Sequence, residues 1–130
     1  MKRLFDIFSS LCGLAILAPV FAVIALSVLF FDGRPIFFRQ DRVGKKEKVF
    51  RIWKFRTMQS TKDSNPVTTK NDPRVTDIGK TLRRYKLDEL PQLINVLIGD
   101  MSLVGPRPEV PVLFCKYPQT LREAMSTVRP

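Results

Sequence analysis

Asp88 and Glu89 stand side by side at the head of an apolar run, Leu90, Leu93, Ile94, Leu97 and Ile98. The run has the spacing of a helix with one buried face, and Pro91 suits a first helical turn because its missing N–H would have had no partner there. The pair is therefore expected at or beside a helix N-terminus. Unpaired N–H groups and the positive end of the helix dipole favour anions at such a place, keeping a carboxylate ionised and attracting phosphate. A carboxylate nucleophile acting on a phosphate could use that setting. The plainer reading is that Asp88 only caps the helix, as acidic residues there commonly do.

Cations flank the pair on both sides. Residues 78–85 read as a short helix bearing Lys80, Arg83 and Arg84 that leads directly into Leu87, Asp88 and Glu89. Those cations either form ordinary salt bridges, worth about 1 kcal/mol or less, or clamp the phosphates of a substrate. Downstream, Pro106 and Pro108 stiffen the backbone around Arg107. A guanidinium held in one orientation suits bidentate phosphate binding, although Pro-Arg-Pro also serves as a rigid turn.

The elements that must position these groups begin with an apolar N-terminus. From Leu4 to Phe31 the one charge is Asp6, and the 21 residues from Leu11 to Phe31 carry none. That length spans a hydrocarbon core of about 30 Å. It exceeds the apolar region of a cleavable signal, and no small-residue cleavage pattern follows. Pro19 falls near its middle, and basic residues flank both ends: Lys2 and Arg3 before it, Arg34, Arg39 and Arg42 after it. The positive-inside rule then places both ends on the cytoplasmic side. A helix broken at Ala18 and Pro19 that enters one leaflet and returns satisfies both features, while a straight span remains the alternative.

Next come two β-prone stretches, Pro35 to Gln40 and Lys48 to Phe55, around a polar connection from Asp41 to Glu47. They read as a hairpin near the membrane surface, whose basic side chains could hold anionic phospholipid. Gln59 to Thr76 is rich in Ser, Thr, Asn, Asp and Pro and is expected to be an exposed loop. Glu109 to Pro130, punctuated by Pro111 and Pro118, reads as interfacial helices, core, or both.

The chain of 130 residues has room for one modest domain and an anchor. Its formal charge of +10 is concentrated: residues 34–86 hold sixteen basic and five acidic side chains, whereas residues 1–33 are net neutral. Such a block suits nucleic acid, anionic headgroups or a polyphosphate. Cys12 and Cys115 suggest neither a disulfide framework nor a metal site, and with no histidine a zinc centre is not indicated. Neither a Walker loop nor a Gly-x-Gly-x-x-Gly fingerprint is present, so the usual nucleotide-binding folds are not indicated.

Five segments together resemble, in order and spacing, the bacterial sugar transferase family, the monotopic phosphoglycosyl transferases. They are Lys54-Phe55-Arg56-Thr57-Met58, Asn71-Asp72-Pro73-Arg74, the run from Leu87 to Leu97, the run from Gly99 to Pro108, and Val128-Arg129-Pro130. The resemblance covers the whole chain and is most specific in its centre. It implies an enzyme that moves a sugar-1-phosphate from a UDP-sugar to polyprenol (undecaprenyl) phosphate and releases UMP. This is the first membrane step of bacterial capsule, exopolysaccharide or O-antigen assembly. It further implies Mg2+, Asp88 as the nucleophile that forms a covalent phosphosugar intermediate, and Glu89 as its partner in positioning metal or proton. Arg83 matches a phosphate-binding residue, to which the charge argument adds Arg84 and Arg107. Pro19 matches the helix-breaking proline, preceded here by Ala18 where the family often has serine. The family continues beyond Val-Arg-Pro with a glycine-rich segment, so the expectation is a catalytic domain truncated at its C-terminal end.

The expected architecture is α+β and mostly helical. Residues 1–33 form a re-entrant membrane helix-break-helix anchor, and residues 34–130 a small cytoplasmic domain with a β-hairpin and membrane-surface helices. The expected location is the cytoplasmic face of the bacterial inner membrane, with UDP-sugar, polyprenol phosphate and phospholipid as partners and no nucleic acid. The rival is a non-catalytic, membrane-anchored basic module that binds anionic lipid or nucleic acid. It leaves the acidic pair and Pro-Arg-Pro idle, and the aromatics form no base-stacking series.

Overall fold

The computed structural model describes residues 1–59 and 72–130. Helix α1 (Lys2–Phe31) is followed by a hairpin of β1 (Phe37–Val43) and β2 (Val49–Phe55), then by α2 (Asp77–Arg84), α3 (Gln92–Ile98), α4 (Pro111–Phe114) and α5 (Gln119–Thr127). The architecture is mixed and mostly helical around one antiparallel ribbon, with Phe37 opposite Phe55 and Val43 opposite Val49. Strand β1 runs three residues past the expected end at Gln40. Asp41 bonds across the ladder to Arg51 at 3.3 Å, and Val43 is buried, so the ribbon continues until Gly44 and the left-handed Lys46 and Glu47 turn the chain. Of the expected loop from Gln59 to Thr76, residues 60–71 lie outside the described residues. Its described end is not open, because Met58 pairs with Val75 and Asp72 is buried.

A two-stranded ribbon is marginal in water and must be covered. Two apolar clusters cover this one. Ile24 and Val28 of α1 meet Phe55 of β2 and Leu82 of α2, joined by Phe21, Ile78, Leu87 and Leu90. Ile52 of β2 meets Val96 of α3 and Met101, with Phe50 alongside. Leu87 and Leu90 bracket Asp88 and Glu89, so the first cluster fixes the acidic pair in space. Helix α2 comes close enough for this because residue 79 is glycine: a Cβ there would stand 2.2 Å from the Thr57 carbonyl oxygen.

The apolar run after the pair does not simply bury Leu90, Leu93, Ile94, Leu97 and Ile98. Ile98 is exposed, and the fully buried residues of α3 are Asn95 and Val96. Asn95 takes the place of a third strand. Its Oδ1 accepts from the Trp53 amide at 3.0 Å, and its Nδ2 donates to the Arg51 carbonyl at 2.8 Å, satisfying the free edge of β2.

Helix α1 runs from Lys2 to Phe31 with Pro19 inside it, so the expected break at Ala18 and Pro19 does not interrupt the helix. Proline removes one hydrogen bond of the ladder there and lets the helix bend without ending it. Among the described residues this is the one helix long and apolar enough to cross a membrane. Both of its ends are bonded to the rest of the protein. At the start, Lys2 donates to the Val104 carbonyl, Arg3 caps the end of α3 through the Val96 and Leu97 carbonyls, and Asp6 accepts from Ser102 Oγ and the Leu103 amide. At the finish, Asp32 accepts from Thr76 Oγ1 at 2.7 Å and from Arg56 through its carbonyl. Between these anchors Ile16, Val20 and Val23 are exposed.

Asn95→Leu leaves the Trp53 amide and the Arg51 carbonyl of β2 without their partner and is expected to lower stability by about 1–3 kcal/mol. Denaturant unfolding followed by the fluorescence of Trp53, the single tryptophan, measures this; an unchanged midpoint would refute the role given to Asn95.

Candidate functional site

Leu87, Asp88 and Glu89 form one 3-10 turn ahead of α3, entered through Lys86 in a left-handed conformation at φ 59°. A non-glycine residue pays about 1 kcal/mol for that backbone, and the sharp bend aims the two carboxylates outward from the Leu87 and Leu90 pegs. No side chain caps the N-terminus of either the turn or α3, and the N-cap position of α3 is Pro91. Asp88 is therefore not a capping residue. It is 7% exposed, and its buried Oδ1 accepts no hydrogen bond from the described residues.

Strand β2 brings the counter-charge. Because Phe55 turns inward to the core, Lys54 faces the other side of the ribbon, where its Nζ lies 2.9 Å from Glu89 Oε1. Arg107 Nη2 reaches the same oxygen at 3.3 Å from the Pro106–Pro108 segment. Arg42 holds that segment by donating to the Pro108 carbonyl at 3.2 Å. Arg83 comes from α2 and is oriented by donating from Nε to Thr57 Oγ1 at 2.9 Å. Arg74 forks onto Asp72, with Nη2 at 2.6 Å and Nε at 2.9 Å.

Asp88, Glu89, Lys54, Arg107, Arg42, Arg83, Thr57 and Arg74 line one cleft of about 1210 Å³, whose wall includes nine cations (Arg39, Arg42, Arg51, Lys54, Arg56, Arg74, Arg83, Lys86 and Arg107) against four carboxylates (Asp41, Asp88, Glu89 and Glu109). The structure thus gathers Asp88, Glu89, Arg83 and Arg107 from the residues singled out in the sequence. Arg84 is elsewhere: it is exposed on the far side of α2, its guanidinium 5.9 Å from the Tyr85 ring. Successive helical residues point about 100° apart, so Arg83 and Arg84 cannot both face the cleft. Ala18 and Pro19 lie in α1, outside the cleft wall. Lys54, Thr57 and the Asp72–Arg74 fork were not singled out as site residues. The available signal was the alternation of β2, which sets Lys54 opposite Phe55.

The two carboxyls differ in character. Burial pushes Asp88 up from the usual carboxylate range, and the charge of Glu89 adds to this, while Lys54 and Arg83 pull the other way without cancelling it. Burial also opposes ionisation of Glu89, but the Lys54 hydrogen bond and charge, with Arg107 and Lys86, outweigh it and hold that carboxyl low. Asp72 is held at about 2 by its hydrogen bonds from Arg74. A cleft so basic, with one tethered carboxylate and one buried and underused, can bind an oligophosphate and present Asp88 to it.

A carboxyl raised on folding favours the folded state only while protonated; that contribution is present below its unfolded range and lost as pH rises through the raised value. Ionised Asp88 therefore weakens the fold at neutral pH. Asp88→Asn is expected to melt about 2–6 °C higher at pH 7, with the gain shrinking toward about pH 4. Thermal melts of both proteins across that range check this, and a lower melting point at pH 7 would overturn it. Asp72 runs oppositely: its contribution is present above the ordinary range and fades as the pH falls toward 2.

The sequence signature of the family described as bacterial sugar transferase matches residues 1–130. The exopolysaccharide production protein PSS of Rhizobium leguminosarum bv. phaseoli is 51% identical over 110 residues, covering 82% of this chain and 55% of that protein. The UDP-glucose:undecaprenyl-phosphate glucose-1-phosphate transferase of Escherichia coli K12 is 49% identical over 110 residues, covering 83% of this chain and 24% of that protein. A UDP-N-acetylgalactosamine-undecaprenyl-phosphate N-acetylgalactosaminephosphotransferase of Aeromonas hydrophila is 41% identical over 111 residues, with 84% and 26% covered. The chain spans between 21% and 66% of the length of such curated relatives. With its full length matched by the signature and 51% and 49% identity to two of these proteins over 110 residues, the chain belongs to the bacterial sugar transferase family.

Proposed function

We propose that this chain carries the catalytic centre of a phosphoglycosyl transferase that moves a sugar-1-phosphate from a UDP-sugar to undecaprenyl phosphate. The observation that carries the reading is Asp88: a buried carboxylate with an oxygen left unbonded by the described residues, set in a cleft walled by cations. A module that merely holds anionic lipid has no use for a buried acid, which opposes both the fold and the binding of anions. The names of the relatives point the same way, since those from Escherichia coli and Aeromonas hydrophila specify a UDP-sugar and undecaprenyl phosphate.

In the proposed course Asp88 attacks the β-phosphorus of the donor. A bond forms from its carboxylate oxygen to phosphorus as the bond to the oxygen bridging the two phosphates breaks, and UMP leaves with that electron pair. The phosphate oxygen of undecaprenyl phosphate then attacks the same phosphorus and releases the Asp88 carboxylate. A carboxylate meets an anionic diphosphate only if the repulsion is offset; Arg83, Lys54 and Arg107 supply the offset from three sides. Asp88 and Glu89 are the residues that would hold magnesium. The unbonded Oδ1 of Asp88 fits this, and no cluster of three or more acidic, Cys or His ligands exists among the described residues, so phosphate and water would complete the shell. When bound, the ion would neutralise phosphate charge as a Lewis acid.

The acceptor lies in a bilayer, and α1 supplies the route. A helix that crosses a membrane parts its ends by about 30 Å of hydrocarbon. Here Arg3 and Asp6 at one end and Asp32 at the other bind one small body, which supports a re-entrant anchor entering and leaving at the cytoplasmic face. The exposed apolar middle then sits among lipid while the cleft stays at headgroup depth.

Asp88→Asn is expected to lower UMP release from UDP-sugars by more than about 10³-fold, while Arg84→Ala stays within about threefold. Full activity of Asp88→Asn would end the assignment. For topology, Lys2→Cys and Arg34→Cys, each in a Cys12→Ser, Cys115→Ser background, should both escape an impermeant maleimide added outside intact spheroplasts. Labelling of position 2 alone would establish a crossing helix instead.

A further inference from the structure

Beside the main cleft lies a second, smaller pocket of about 200 Å³. Arg42, Lys54, Glu89 and Arg107 line both cavities and form the partition between them, whereas Asp88 lines only the larger. At about 30 Å³ of liquid volume per water the pocket holds roughly seven waters, which is the scale of one six-membered ring with its substituents. Its floor is apolar, from Ile52, Met101 and Pro106, and its polar groups include Gln92 at the first position of α3. Arg42 is half-buried within the partition, and its Nε has no hydrogen-bond partner among the described residues. Burial outweighs its acidic neighbours in lowering its affinity for the proton, a sign of a guanidinium short of counter-charge.

In-line displacement at phosphorus sets the attacking and leaving oxygens on opposite sides and leaves the other three oxygens, the sugar oxygen among them, to project sideways. With Asp88 as the attacking group and the nucleotide leaving along the cleft, the sugar oxygen occupies one of those sideways positions. The pocket flanking the attack axis, reached across Glu89 and Lys54, is where the ring would go. We propose that this side pocket seats the hexose of the donor, with Ile52, Met101 and Pro106 under its C–H face and Gln92 and Arg42 reading its hydroxyl or acetamido substituents. The assignment rests on the transferase reading above and adds to it the residues that choose the sugar.

The test separates the two. The chain is purified in detergent and given UDP-glucose, UDP-galactose and UDP-N-acetylgalactosamine with magnesium, and UMP is measured both as product and as an inhibitor. Leu103→Trp, which places an indole at the rim of the pocket, is expected to raise KM for each donor by about tenfold or more while the inhibition constant of UMP stays within about twofold. Gln92→Ala is expected to change the ratio of kcat/KM between UDP-glucose and UDP-N-acetylgalactosamine by about tenfold, again with UMP inhibition unmoved. Should the indole variant fail to fold, as its thermal melt would report, Gln92→Ala alone decides. The pocket assignment is overturned if donor KM and UMP inhibition shift in parallel, or if neither variant alters KM or the donor ratio, in a protein that still releases UMP. Absence of UMP from every donor with the unsubstituted chain overturns the transferase reading itself, and the pocket assignment with it.

Discussion

The amide of Asn95 holds this structure together at its centre. A hairpin has two open edges, and α3 lies against one of them here. Asn95 closes it by donating to Arg51 and accepting from Trp53, in the manner of a neighbouring strand. The same residue's carbonyl accepts from the amides of Gly99 and Asp100, so it also ends its own helix. Because the strand residue after Trp53 is Lys54 and the turn before α3 is Asp88 and Glu89, this clamp sets the distance between ammonium and carboxylate. The ion pair at 2.9 Å is thus a consequence of backbone register more than of two flexible side chains finding each other.

A second constraint comes from helix α1. Helix α1 carries few polar residues, and those near its ends are spent on the domain: Arg3 caps α3, Asp6 holds Ser102 and Leu103, and Asp32 holds Thr76, which itself caps α2. Helix α1 and the Asp32 that follows it therefore hold both helices that flank the acidic pair. Removing α1 would expose Phe55 and Leu82 and uncap α3, so the apolar helix and the site geometry share the same contacts.

Much of the site was legible from residue types. The adjacent carboxylates, the arginine between prolines and the basic block all come from different elements and meet in one cleft. What was hidden depends on direction rather than identity. Arg83 and Arg84 are chemically equal in the sequence, and only the rotation of α2 separates the one on Thr57 from the one beside Tyr85. Lys54 reads as one more surface cation until Phe55 is known to be core. Asn95 sits among apolar residues where a polar side chain looks like an interruption, and its purpose is visible only once β2 lies against it. Strand β1 outran its expected end because Asp41 and Arg42, polar enough to suggest a turn, have cross-strand and Pro108 partners supplied by other elements.

The contrast between the two acids follows from these placements and bears on the proposed chemistry. Glu89 receives Lys54 and Arg107 on one oxygen and is held ionised by them. Asp88, one residue earlier in a strained turn, is more deeply buried and keeps an oxygen without a hydrogen-bond partner among the described residues. Burial destabilises its ionised form, which makes that form the stronger base and the better nucleophile, provided nearby cations keep it populated. Lys54 serves both needs, since it neutralises Glu89 directly and stabilises the charge on Asp88 from a distance. Two carboxylates adjacent in sequence, and equally exposed, would share one role. A single 3-10 turn against an apolar cluster divides them, leaving one acid as a fixed counter-ion and the other available to react.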